Sequence, residues 1–511
     1  MTEVLIVGAG PTGLVLALWL KRLGVAVRII DRTPEPGTTS RALAVHARTL
    51  ELYEQMGLAK DVVDRGLQVA AINFWARGHH AARAELAAIG QGLSPFPYFL
   101  MFPQDQHERL LIEHLQRAGV EVERRTELVG FEDDGDRVVA HVKCDGVTSP
   151  CEVAYIAGCD GGHSKVREVL GIGFPGGTYE RFFYVADVEL RGPASNHELH
   201  VALDDADLLA IFPMKGENAA RLVGTVKEVS EEKRQDLTWK DVSQDILERM
   251  MLTVEKVHWF STYRVHHRVA DHFGRGRAFL LGDAAHVHSP VGGQGMNTGI
   301  GDAINLAWKL AAVLQRRADA TLLASYEPER IAFARRLVNT TDRAFTFASR
   351  DGALARYVRV DAMPLLMPRL MARASVKRYL FRTVSQTLIR YRGGPLAEGR
   401  AGRVRGGDRL PWVPADGGGE ADNFAPLTSL DWQVHVYGEA SAELTASCAR
   451  RGLPLHVLPW SPRADEAGLA RDAAYLVRPD GYVGIADPAA SAATLERYAD
   501  ERGLKFGCDN P

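Results

Sequence analysis

Three clusters of small and acidic residues are the parts of this chain best suited to hold a charged ligand. The first, Gly8-Ala9-Gly10-Pro11-Thr12-Gly13, follows the apolar run Val4 to Val7 and leads into the apolar stretch Leu14 to Leu23; a second apolar run, Val25 to Ile30, ends in Asp31. Glycines at these intervals give a tight turn and let the backbone approach a pyrophosphate, the helix that follows points free N–H groups at it, and an acid about 20 residues on meets ribose hydroxyls. Strand, turn, helix, strand and acid in that order distinguish a Rossmann-type site from a merely structural Gly-rich turn. The acid argues against a 2′-phosphate and suits either NAD or the adenosine half of FAD.

The second cluster is Asp160-Gly161-Gly162-His163-Ser164-Lys165-Val166-Arg167, after the short apolar strand Tyr155 to Gly158. Asp, Gly and Ser also make ordinary turns. The third cluster repeats the pattern, however: a strand ends in Gly282-Asp283, a Gly- and Pro-rich loop follows, and a long amphipathic helix begins near Asn297 and runs to Leu314. Backbone N–H groups exposed by Gly292, Gly293 and Gly295 at that helix start suit negative charge. Two such corners, added to the N-terminal loop, are what the two halves of one cofactor site produce. Arg41 sits in a loop of small residues where a guanidinium could reach a phosphate or a substrate anion. Arg48 reads equally well as a solvated charge, and Gln104, at a strand-to-helix corner, as a cap or a cofactor contact.

The elements that must position these groups follow from the patterning. Val120 to Val153 reads as a β-meander inserted in an α/β domain. Between Phe182 and Tyr263 alternating residues imply an antiparallel sheet with one buried face, interrupted by a helix from Trp239 to Met251. A long helix runs from Ser325 to about Ala348, and the stretch from Arg392 to Pro426, rich in Gly, Pro and charge, reads as a partly extended connection. The expected organisation is a Rossmann-type α/β domain in two parts, 1–176 and 265–395, an antiparallel substrate sheet, 177–264, a linker, 396–426, and a compact α/β domain, 427–511.

At 511 residues the chain exceeds one domain, and a net charge of −3 gives no broad attraction to nucleic acid or anionic membrane. Five cysteines without CxxC or zinc spacing suggest neither a disulfide framework nor a metal site. The N-terminus lacks the basic region and cleavage site of a secretion signal, and no apolar run is long enough to span a bilayer, so a cytoplasmic location is expected.

The three motifs together, in this order, resemble the FAD-dependent aromatic hydroxylases, the single-component flavoprotein monooxygenases that include phenol hydroxylase, hydroxyphenylpropionate hydroxylase and aromatic polyketide hydroxylases. The resemblance extends over essentially the whole chain. Its last segment, with Arg478-Pro479-Asp480-Gly481 in a recurrent turn, is similar to the thioredoxin-like C-terminal domain of the phenol hydroxylase branch, here without a redox CxxC. The resemblance implies that Gly8, Gly10, Pro11, Thr12 and Gly13 approach the FAD pyrophosphate, that Asp31 with Arg32 meets the adenosine ribose, and that Arg41 and Gln104 reach the flavin or its phosphates. Asp160 belongs to a motif associated with FAD and nicotinamide binding. Asp283 would bond the ribityl chain, with Pro290, Gly293, Gly295, Met296 and Asn297 around the flavin.

The implied activity is reduction of FAD by NADPH or NADH, reaction with O2 to a flavin C4a-hydroperoxide, and transfer of one oxygen atom to a small aromatic substrate, phenolic or polyketide-like. The nicotinamide would bind transiently in the substrate cleft, since no second dinucleotide fold is visible. A flavin-dependent reductase or dehydrogenase on the same fold, and a non-catalytic flavin-binding regulatory module, are the alternatives. No residue stands out as the base that would deprotonate a phenol. His46, Tyr98, His200, Tyr263 and His266 lie where the family builds its cleft, with His46 and Tyr263 the first candidates as catalytic residues. No metal site, nucleic acid or membrane partner is expected, and an oligomer is possible.

Overall fold

The structure is a computed structural model that describes residues 2–37, 42–203, 208–226, 237–242, 244–289, 291–349, 366, 369–415 and 421–507. The apolar runs of the first motif become the centre of a parallel sheet. Val4–Val7, buried at every position, pairs with Val27–Ile30 on one side and Tyr155–Gly158 on the other, and Ala278–Leu280 pairs with Tyr155–Gly158 beyond it. Val122–Glu123 and the antiparallel Gly274–Arg275 close the two edges. Strands buried on both faces read as continuous apolar runs, as Val4–Val7, Tyr155–Gly158 and Ala278–Leu280 do. Because Val4–Val7, Tyr155–Gly158 and Ala278–Leu280 are parallel neighbours, the three glycine- and aspartate-bearing loops leave the same edge of the sheet. Ligands bind at such an edge in open α/β sheets.

The meander expected from Val120 to Val153 is present as Thr126–Asp133, Val138–Cys144 and Val147–Val153. The second large sheet has eight strands, and it is wider than the segment 177–264. It recruits Ala71–Ala76 and His79–Glu85 from the first third of the chain, joined through a parallel pairing of Ala71–Ala76 with Leu199–Leu203. The interrupting helix is reduced to one 3-10 turn, Trp239–Asp241, and a short helix, Asp245–Arg249. Ile246, Leu247 and Met250 cover one face of this sheet with Tyr184, Leu209, Ile211 and Leu222. The opposite face turns toward the first domain.

The last sheet orders Leu455–Leu458, Gln433–Tyr437, Ala474–Val477 and Val483–Asp487 as neighbours, the first pair parallel and the next two antiparallel. Inside the stretch read as a connection, Glu398–Ala401 extends it by pairing at Ile485 and Ala486, and Val404–Arg405 pairs with Glu398–Ala401 in turn. Strands this short and this rich in glycine and arginine carry no alternation to announce them.

This C-terminal part docks on the first domain through buried charge. Arg478, fully buried, is bidentate to Glu329 (2.6 and 3.0 Å) and to Asp480 (3.0 and 2.7 Å). Lys309 Nζ also donates to Glu329, at 2.9 Å, and Trp308 Nε1 to Asp480, at 3.2 Å. Burial alone would raise the Glu329 pKa, but Arg478 and Lys309 hold it at about 2. Desolvation brings Lys309 down to about 8. Removing one partner of a buried ion pair leaves the others desolvated and unpaired. Arg478→Ala is therefore expected to cost about 3 to 5 kcal/mol in urea denaturation, and a loss below about 1 kcal/mol, the scale of an exposed pair, would show that the network is solvated.

Candidate active site at the meeting of three corners

The three corners close on one another because their glycines have no side chains. A Cβ on Gly8, which has φ +102°, would lie 2.3 Å from the Cys159 carbonyl oxygen and 2.9 Å from the Asp160 Cα; one on Gly13 would lie 2.0 Å from the Gly8 carbonyl oxygen. Gly282 (φ +58°) and Gly299 both abut the Thr12 hydroxyl, at 2.7 and 2.3 Å from their Cβ positions. The helix Pro11–Arg22 thus packs directly on the long helix Gln294–Leu314. Gly10 differs: its Cβ position meets none of the described residues within 4 Å, leaving room at the start of Pro11–Arg22 where a pyrophosphate would approach.

At the end of the second strand Asp31 accepts from the Ala9 N–H (2.7 Å) and from the Thr33 N–H (2.8 Å) and hydroxyl. Arg124 lies 3.7 Å from Asp31, and its Nη2 is buried with no hydrogen-bond partner among the described residues. Arg32 is exposed. Asp160 accepts from the Lys165 and Val166 N–H groups through Oδ2 (2.6 and 3.2 Å), while its buried Oδ1 has no hydrogen-bond partner among the described residues. Burial raises the Asp160 pKa. Two such polar atoms at the ligand edge of the sheet, beside a glycine with room at its Cβ position, fit a polar dinucleotide.

Around the third corner Gly292 and Gly293 are left-handed (φ +78° and +62°), and Gly293 begins the helix Gln294–Leu314. Asn297 ties this start to the residues before the helix Ala47–Glu54: its Oδ1 accepts from the His46 N–H (2.9 Å) and the Thr49 hydroxyl (2.8 Å), and its Nδ2 donates to the Ala44 and Gly293 carbonyls (2.9 Å each). His46 is buried, with Nε2 3.0 Å from the Gly292 carbonyl oxygen, and burial lowers its pKa to about 4. It is thus neutral near pH 7, able to donate to that carbonyl. Gly295 and Met296 are half-buried beside this turn, and His288, lowered to about 4 by burial, stands 3.8 Å from the Gly295 Cβ position. Asp283 is exposed on the one-turn helix Gly282–Ala284. Behind it Asp302, fully buried, accepts from the Gly282 N–H (3.0 Å), His286 Nε2 (2.7 Å) and Arg330 Nε (2.6 Å). Burial would raise the Asp302 pKa, yet Arg330 and His286 keep it below the usual range. Arg41 and Pro290 lie outside the described residues.

Gln104 opens the helix Gln104–Arg117 and does not cap it; its Nε2 donates to Glu108 at 2.8 Å. The sheet face opposite Ile246 carries Phe183, paired across strands with Tyr263, Asp187 with Trp259, and Phe212 with Arg221. Arg221 is buried and bidentate to Asp187 (2.6 and 2.8 Å), and its Nη1 donates to the Ala42 carbonyl oxygen at 3.1 Å. This face therefore looks onto the domain that carries the glycine corners. His200 lies on the other face, held by Trp75 Nε1 (2.9 Å) and Asn196 Oδ1 (2.8 Å). His266 is exposed at the strand that carries Tyr263, with Thr178 Oγ1 2.7 Å from its Nδ1, and Tyr98 is half-buried with its pKa raised by burial. Arg124, Asp302 and the Arg221–Asp187 pair escaped the sequence reading. Only Asp302 left a signal, as a carboxylate on the apolar side of a helix.

The family model for an FAD binding domain matches residues 1–341. A 6-methylpretetramide 4-monooxygenase of Streptomyces rimosus is 35% identical over 526 aligned residues, covering 96% of this chain and 92% of the relative. A rifampicin monooxygenase of Rhodococcus hoagii is 34% identical over 76% of this chain and 79% of its own. Among solved structures, an anhydrotetracycline hydroxylase from Streptomyces rimosus superposes with a TM-score of 0.77 at 29% identity over 99% of both chains. An aromatic hydroxylase from angucycline biosynthesis gives 0.76 at 27% identity, again over 99% of both. With its glycine corners meeting at one sheet edge and this likeness along almost its whole length, the chain belongs to the FAD-dependent aromatic hydroxylases, the flavoprotein monooxygenases built on this FAD binding domain.

Proposed function

We propose that this monooxygenase hydroxylates a phenolic or polyketide-like ring held between the Phe183, Phe212 and Tyr263 sheet face and the helix start at Gly293–Asn297. The observation that carries this reading is Arg221: paired with Asp187 on the sheet and bonded to Ala42 of the first domain, it sets an aromatic face against the glycine corners. Bound FAD, reduced by NADPH or NADH, supplies the activation of O2 and one oxygen atom for the ring.

The protein's own tasks are binding, charge stabilisation and exclusion of water. Gly8, Gly10 and Gly13 present backbone to the pyrophosphate, Asp31 with Arg124 meets the adenosine ribose, and Asp283 takes the ribityl hydroxyls. Free N–H groups at Gly293 to Met296, with the positive end of a 21-residue helix behind them, would steady negative charge on the reduced ring system. The aromatic face keeps water from the reacting atoms. His46 serves as a positioning residue, neutral and engaged with Gly292, and Tyr263 is the group set to touch the substrate. The order of the last sheet, one parallel and two antiparallel pairings flanked by Ala442–Arg450 and Ala492–Glu501, supports a thioredoxin-like domain of structural rather than redox use. A cytoplasmic location fits the free thiols of Cys144, Cys151, Cys159 and Cys448.

Two outcomes follow. Gly13→Ala must push the Gly8 turn open and Asp283→Ala removes a ribityl partner, so both are expected to weaken FAD binding by about tenfold or more, about 1.4 kcal/mol; an FAD Kd at the wild-type value in either variant, measured by titration of apoprotein, would contradict the assignment. Phenolic ligands of the right shape are expected to accelerate flavin bleaching by NADPH or NADH in stopped-flow absorbance. Bleaching that no aromatic ligand accelerates would count against an aromatic substrate at the sheet face.

A further inference from the structure

The C-terminal sheet stands apart from the glycine corners, yet the residues that hold the third corner rest on it. Arg48 is the link. It is buried in the helix Ala47–Glu54, next to His46 and Thr49, which bond Gly292 and Asn297. Its Nη2 donates to the Asp480 carbonyl oxygen at 2.5 Å, its Nη1 to Glu51 at 3.0 Å, and its guanidinium lies 5.0 Å from the centre of the Tyr482 ring. Arg409, from the segment that joins the C-terminal sheet, also bonds Glu51 (2.8 and 2.5 Å). Gly481, with φ +71°, lets the turn lie flat on this helix, its Cβ position 3.4 Å from Gln55 Nε2 and 3.6 Å from Arg48 Nη2.

A second support of the corner rests on the same turn. Gln386 Nε2 donates to Gln294 Oε1 (2.8 Å) and Thr298 Oγ1 (2.9 Å), Gln294 Nε2 to the Val384 carbonyl oxygen (2.9 Å), and the Arg48 N–H to the Ser385 carbonyl oxygen (3.1 Å). A few residues on, the Tyr391 ring packs 4.3 Å from that of Tyr482, and its hydroxyl accepts from Arg330, the partner of Asp302 behind Gly282. The helix Ala47–Glu54 and the segment 384–391, two of the elements that hold Gly292 to Thr298, are thus both seated on Arg478 to Tyr482.

We propose that the turn Arg478–Tyr482 is a brace for the flavin-facing loop, with Arg48 as its positioning residue, so that docking of the C-terminal domain sets FAD affinity and the redox potential of the bound flavin. The proposal rests on the flavin reading above. A helix start held rigid keeps its N–H groups aimed at the reduced ring system; one that has lost a support samples other orientations, binds the cofactor less tightly and stabilises the reduced form less.

The test uses the full-length holoenzyme, with FAD titrated by fluorescence quenching and the flavin midpoint potential measured by dye-coupled reduction. Arg48→Met fills similar space but loses the bonds to Asp480 and Glu51. It is expected to weaken FAD binding about fivefold and to lower the midpoint potential. Should Arg48→Met fail to fold, Arg48→Lys, which keeps the charge beside Glu51 but cannot hold both partners in a fork, carries the test with a smaller shift of the same sign. Arg317→Met breaks another contact of the C-terminal domain, the 2.8 Å pair with Asp431, away from the glycine corners, and should leave both quantities at wild-type values. Folded Arg48 variants with wild-type affinity and potential would overturn the proposal, as would an equal change in Arg317→Met. Wild-type protein that binds no FAD would instead overturn the flavin reading itself.

Discussion

Close backbone approach is the constraint from which the rest of this structure follows. At Gly8, Gly13, Gly282 and Gly299 a single added carbon would fall 2.0 to 2.7 Å from a neighbouring atom. The neighbours are the second corner, the first turn and Thr12, so these glycines let one strand end, two further corners and two helices converge within the reach of one dinucleotide. The parallel sheet keeps them there, since Val4–Val7, Tyr155–Gly158 and Ala278–Leu280 are hydrogen-bonded neighbours buried at every position. The aromatic sheet is then brought in from outside, through Arg221 and Ala42, to roof the same edge.

Legibility in the sequence tracked how local each feature is. The N-terminal motif could be read because turn, helix and acid are all within one short span, and the Asp160 and Gly282-Asp283 corners because they repeat its pattern. The two strands Ala71–Ala76 and His79–Glu85 joined a sheet far away in sequence, and nothing in their own residues names that partner. Glu398–Ala401 is a strand because Ile485 and Ala486 on one side and Val404–Arg405 on the other offer it partners. His46 illustrates the limit at the level of a side chain: its type invites a catalytic role, while its burial and its bond to Gly292 depend on a residue hundreds of positions away. Arg124 and Arg221 are ordinary arginines until the fold sets Asp31 and Asp187 beside them.

Buried charge is the other cost the fold carries. Glu329, Lys309, Arg478, Asp480, Asp302 and Arg330 lie in the interior in matched sets, each carboxylate with at least one cation in hydrogen-bond range. Apolar residues of similar volume would hold two domains together as firmly. What matched charges add is direction: a bidentate arginine fixes orientation as well as contact. That suits a junction on which the support of a cofactor loop depends, and it explains why the turn carrying Arg478 is buried more deeply than most of the domain it belongs to.

In the proposed account the glycine corners hold FAD, the helix start steadies charge on its reduced form, and the aromatic face admits a ring and excludes water. Its central claim is that one atom of molecular oxygen ends on the substrate. The direct measurement is the mass of the product formed with NADPH or NADH under oxygen-18 gas. The account requires a single heavy oxygen in the hydroxylated ring; an unlabelled product, or turnover undiminished without oxygen, would contradict it.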